Sequence, residues 1–102
     1  KMLGYPITAF INLEVQPAQK SVFYPFITAH PNVLECNCVT GDYSMLIKVA
    51  FESTEALDVF IGQLQTFGRT QTQIVFSTAK EQSSVDLENI IAGNYPEVPE
   101  IK

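Results

Sequence analysis

Basic residues, histidine, cysteine and long apolar runs are all scarce in this chain, and each scarcity closes a line of function. Six lysines and arginines stand against eleven acids, a net charge of −5 over 102 residues. No basic stripe is therefore available for phosphate contacts and counterion release, and direct nucleic-acid contact by these residues is not expected. The imbalance is local: residues 1–80 carry five cations and six acids, whereas 81–102 carry one cation and five acids. The single histidine, His30, sits beside Pro31 at a helix end, where a solvated or capping role is expected. No paired-carboxylate, Ser-His-Asp or Cys-His constellation emerges, so no catalytic residues are assigned. The two cysteines, Cys36 and Cys38, are one residue apart, and on a strand they share a face without bridging easily. A metal reading would recruit His30 but finds no fourth ligand at a known spacing, so no metal and no cofactor is expected. No apolar run approaches the length of a membrane helix, and no basic-then-apolar leader opens the chain. The expectation is a soluble, cytoplasmic protein with no membrane partner.

What is present is a core. With 46% apolar and 17% charged residues, one small domain can bury enough surface to fold without staples. From Ile7 to Gln16 the chain alternates, with Ile7, Ala9, Ile11, Leu13 and Val15 on one side and Phe10 the single apolar intruder on the other. That period predicts a strand. Pro17 suits a first helical turn, and Val22, Phe23, Phe26 and Ile27 share a helical face up to about Ala29. Pro25 inside this stretch predicts a kink or a late start. Val33 to Val39 predicts a second strand, Thr40-Gly41-Asp42-Tyr43 a turn, and Ser44 to Phe51 a third strand that forms a hairpin with the second. Ser53 is a good N-cap for a helix carrying Leu57, Phe60, Ile61 and Leu64 at i, i+3, i+4 and i+7. Arg69 to Thr78 alternates again and predicts a fourth strand.

The order βαββαβ predicts an α+β, ferredoxin-like fold: a four-stranded antiparallel sheet with two helices on one face. The other face carries Phe10, and the third strand is apolar on both sides, so a second copy is expected to cover it, sheet against sheet. This is the dimeric alpha-beta barrel arrangement. Residues 1–80 form the expected domain. Residues 81–102 form an acidic C-terminal tail in which Val85, Leu87, Ile90 and Ile91 suggest one short helix, ended by Gly93-Asn94.

Three stretches, Val33-Leu34-Glu35-Cys36, Val39-Thr40-Gly41-Asp42-Tyr43-Ser44-Met45-Leu46-Ile47-Lys48-Val49 and Arg69-Thr70-Gln71-Thr72-Gln73-Ile74-Val75, resemble the C-terminal effector (ligand-binding, RAM) domain of the Lrp/AsnC transcriptional regulators. The resemblance runs over roughly residues 3 to 80, and its most specific piece is the VTGDY hairpin. It implies a domain that senses a small molecule, usually an amino acid, and that builds dimers assembling to higher oligomers. It also implies that DNA is bound by a separate N-terminal helix-turn-helix domain, absent from this chain. The opening Lys1-Met2-Leu3-Gly4 falls where the linker strand of a full-length relative would be leaving that domain. Carried over, the ligand pocket falls on Gly41, Asp42, Tyr43 and Ser44 of the hairpin and on Thr70 and Thr72 of the fourth strand. Asp42 would accept the ammonium of an amino acid, and the hairpin N–H groups and threonine hydroxyls would meet its carboxylate. Ser44 stands where relatives often carry Asp.

Two rivals share the topology. Small dimeric α+β barrel enzymes normally place a His or carboxylate in the cavity, which nothing here supplies. A stand-alone amino-acid-binding or assembly module of ACT type would bind its ligand around Val15 to Ala18 instead of at the hairpin.

Overall fold

The computed structural model describes residues 6–100, so the opening Lys1-Met2-Leu3-Gly4 lies outside the described residues. The elements are β1 (Ile7–Val15), α1 (Lys20–Ala29), β2 (Val33–Cys38), β3 (Met45–Phe51), α2 (Thr54–Leu64), β4 (Gly68–Ile74) and α3 (Leu87–Ala92). The sheet order is β2-β3-β1-β4, and every neighbouring pair is antiparallel. This is the ferredoxin-like α+β fold that the periodicity predicts.

Alternation decides the faces. Ala9, Ile11, Leu13 and Val15 of β1 are buried, and their partners Val49, Ile47 and Met45 on β3 are buried with them. Phe23 and Ile27 of α1 and Leu57, Phe60 and Leu64 of α2 close over that face in one core cluster. Side chains of opposite parity, among them Phe10, Asn12, Leu46 and Lys48, belong to the other face, where no helix among the described residues lies over them.

The helix ends follow local chemistry. Pro17 opens a single 3-10 turn, Pro17–Gln19, before α1 begins at Lys20. α1 runs on through Pro25, its sixth residue, so the late start expected there is not what the chain adopts. At α2 the Ser53 hydroxyl accepts a hydrogen bond from Ala56 N–H at 3.1 Å. Ser53→Ala is expected to cost about 1 kcal/mol in a urea titration, because one N-terminal donor loses its acceptor. Asn32 fixes the start of β2: its backbone carbonyl accepts from Ala50 N–H at 3.0 Å, and its side-chain amide donates back to the Ala50 carbonyl at 2.9 Å.

One boundary differs from the sequence expectation. Alternation continues to Thr78, yet β4 stops at Ile74, with one more bond from Val75 N–H to the Thr8 carbonyl at 2.8 Å. The strand ends because its partner does. β1 begins just after Pro6, whose missing N–H removes the next rung. Past that point Phe76 is fully exposed. The tail forms α3, capped by the Asp86 carboxylate on Asn89 N–H and ended by Gly93 in the left-handed region (φ +73°). Its apolar residues Leu87, Ile90 and Ile91 are all exposed. The Cα radius of gyration, 17.4 Å, exceeds the roughly 13 Å of a compact chain this long, as a projecting tail requires.

Candidate functional site

The β2–β3 hairpin is the most sharply specified loop in the chain. Cys38 and Met45 form the last pair of the ladder, and Val39 N–H donates to the Ser44 carbonyl at 2.9 Å to close the loop. Gly41 takes φ +113°, a conformation in which any side chain is strained. Gly41 and Asp42 are exposed, and Tyr43 and Ser44 are half-buried. The Ser44 hydroxyl oxygen is buried without a hydrogen-bond partner, which leaves a donor and an acceptor open at the loop.

The six residues read from the sequence divide into two groups. Gly41 to Ser44 form the loop, while Thr70 and Thr72 lie on β4, with β1 between them and β3. Thr70 pairs with Leu13, which pairs with Met45, so its backbone stands two strand spacings, about 10 Å, from the base of the loop. Thr70 and Thr72 share the parity of Leu13 and Ile11 and so face the helices, where the Thr70 hydroxyl accepts from the Gln65 side-chain amide at 3.4 Å. What links the two groups is Arg69. Its guanidinium lies 4.8 Å from the centre of the Tyr43 ring and 3.6 Å from a Glu14 carboxylate oxygen. Arg69 and Glu14 escaped the sequence reading, although their direct pairing in the β1–β4 register would have flagged them.

None of the six takes part in the hollow on the uncovered face of the sheet. That hollow, of about 780 Å³, is lined by Thr8, Phe10, Leu34, Lys48, Val75 and the chain after β4, including Lys80. The Lys48 ammonium stands 5.8 Å above the Phe10 ring. Phe10, the intruder in the strand alternation, was the signal for this face.

His30 has a structural task. Its ring packs against Phe60 at 4.7 Å and Phe26 at 5.7 Å between centroids, and its Nδ1 accepts from Asn32 N–H at 3.2 Å. It is half-buried and is the C-cap residue of α1, so of the solvated or capping role expected for it the structure shows the capping one. Among the described residues no group of three His, Cys, Asp or Glu side chains is placed to hold a metal.

The model of the Lrp/AsnC ligand binding domain matches residues 8–85. The chain belongs to the Lrp/AsnC family. Its Lrp/AsnC relatives include the HTH-type transcriptional regulator FL11 of Pyrococcus horikoshii, 32% identical over 89 residues that make up 84% of this chain and 59% of FL11. The structure of Bacillus subtilis LrpC superposes with a TM-score of 0.71 at 26% identity, over 78% of this chain and 56% of that one. A Neisseria meningitidis transcriptional regulator solved as a complex with L-Met superposes with a TM-score of 0.73 over 88% of this chain and 66% of that one; at 22% identity it shares the fold. The chain therefore spans less than two thirds of the length of FL11 and of LrpC. An Lrp/AsnC ligand-binding domain belongs to regulators, not to enzymes. No helix among the described residues is long and apolar enough to cross a membrane.

Proposed function

We propose that residues 1–80 are the effector-sensing and oligomerisation domain of a cytoplasmic Lrp/AsnC-type transcriptional regulator, with 81–102 as its acidic tail. DNA contact falls to a helix-turn-helix domain outside this chain. The observation that carries the reading is the family match over residues 8–85, which coincides with the ferredoxin-like sheet and with the specific hairpin. An amino acid is the preferred effector class. The Neisseria regulator of the same fold holds L-Met, and the loop here offers an exposed carboxylate at Asp42 beside the unpartnered Ser44 hydroxyl. Gly41, Asp42, Tyr43 and Ser44 together with Thr70 and Thr72 are the proposed contacts. Two strand spacings separate the loop from Thr70, which favours a site completed at a subunit interface.

Asp42→Ala is expected to abolish the amino-acid-dependent rise in melting temperature while leaving the unliganded melting point within a degree or two. Asp42 is exposed, so its loss removes no core contact, whereas a charge-assisted bond to an ammonium is worth about 1.5–3 kcal/mol. Thermal-shift titration against the twenty amino acids reads both quantities. A mutant that keeps the wild-type shift removes Asp42 from the site.

The uncovered sheet face supports a homodimer that assembles further. Phe10, Leu46 and Val75 are half-buried there and Ala50 is buried, an apolar surface over which no helix among the described residues lies. Sedimentation at micromolar concentration should give at least twice the 11.3 kDa chain mass, and Phe10→Asp should lower it to the monomer. A wild-type monomer would refute the pairing.

A further inference from the structure

β2 turns Cys36 and Cys38 to the same side, opposite Ile47 and Met45 of β3. The Cys38 sulfur lies 3.7 Å from the Met45 sulfur. Two sulfurs bound to one metal at about 2.3 Å each, with an angle between tetrahedral and trigonal, stand about 3.8–4.0 Å apart. The pair thus already has nearly the spacing of two ligands of a single ion. Met45 is 2% exposed and held in the core, Cys36 is half-buried, and Cys38 is open to solvent. That gradient combines an anchored ligand with an entry path.

We propose that Cys36, Cys38 and Met45 form a three-sulfur site for a soft monovalent cation, copper(I), at the neck of the β2–β3 hairpin. Two thiolates and a thioether are the donor set that selects copper(I). Zinc would demand a fourth ligand, and His30, the nitrogen donor nearest in sequence, is occupied within the aromatic cluster. A disulfide is disfavoured as a competing fate. Residues i and i+2 of a strand have Cα atoms about 6.6–6.8 Å apart, at the outer limit of disulfide geometry.

Binding breaks two S–H bonds, forms two Cu–thiolate bonds and one Cu–thioether contact, and releases two protons to solvent. Copper stays in its monovalent state and nothing is oxidised.

The test is anaerobic competition between the purified chain and a chromogenic copper(I) chelator, bathocuproine disulfonate, with no amino acid present, so that failure of this site and failure of the effector reading remain separable. The wild-type chain should retain one copper(I) per chain. Below the thiol pKa values, affinity should rise up to about hundredfold per pH unit, as two released protons require. Cys36→Ser and Cys38→Ser should each lose at least about a hundredfold, and the volume-conserving Met45→Leu about tenfold, with circular dichroism unchanged. No retention by the wild type, retention by the double serine variant, or wild-type affinity in Met45→Leu would each overturn the three-sulfur site.

Discussion

Gly68→Ala should destabilise the domain by about 3 kcal/mol or more, or prevent its folding altogether. A methyl group at Gly68 would stand 1.7 Å from the Glu14 carbonyl oxygen, 2.8 Å from its carbon and 3.4 Å from Val15 Cα. All three are backbone atoms, so no rotamer change relieves the clash. The backbone cannot simply step aside either. Gly68 opens β4 opposite Val15, and the residue before it, Phe67, accepts from Gln16 N–H at 3.0 Å and buries its ring 5.5 Å from Phe23. Retreat of Gly68 would strip the β1–β4 ladder and lift an aromatic side chain from the core. Gly62→Ala is the matched control. Gly62 lies within α2 with nothing within 4 Å of an added methyl, so alanine there should stabilise by up to about 1 kcal/mol. Urea denaturation of the two variants should give shifts of opposite sign. A Gly68→Ala midpoint close to wild type would refute the close approach of β4 to β1.

The sequence disclosed the parts that depend on period and caps. Strand alternation in Ile7 to Val15, the Ser53 cap and the hairpin glycine Gly41 each act within a few residues, so their consequences can be read locally. Two features could not be read this way. The end of β4 depends on Pro6, about seventy positions away in the chain, because a strand lasts only as long as its partner. The Arg69–Tyr43–Glu14 contacts depend on register across three strands, which no local pattern encodes. The candidate effector residues were legible as a hairpin and a threonine-bearing strand, but not their separation, since β1 inserts between β3 and β4. The thioether beside Cys38 was hidden for the same reason: a search for spaced N and S ligands along the chain passes over a methionine delivered from across a hairpin.

Phe60→Ala should cost about 3–5 kcal/mol, the range for a fully buried aromatic truncated to a methyl. Phe60 is 1% exposed and joins both helices to the sheet, with its ring 5.3 Å from Phe51 of β3, 6.2 Å from Phe26 of α1 and 4.7 Å from His30. The cavity cannot collapse easily, because its walls belong to three separate elements that are each held by other contacts. Two further losses add to the transfer term: the edge-to-face contact with His30 and the near-parallel stack with Phe26, at an interplanar angle of 13°. His30 would then border a void, and its bond from Asn32 N–H, which helps to aim β2 at β3, would weaken. Phe76→Ala provides the contrast. That ring is fully exposed, so its removal should leave the urea midpoint of the isolated fold unchanged. If the uncovered face pairs with a second copy, Phe10→Asp on that face should act chiefly through the concentration dependence of the midpoint, whereas Phe60→Ala should shift it equally at every concentration. The pair of variants therefore separates the stability of the fold from the stability of its assembly in one set of titrations.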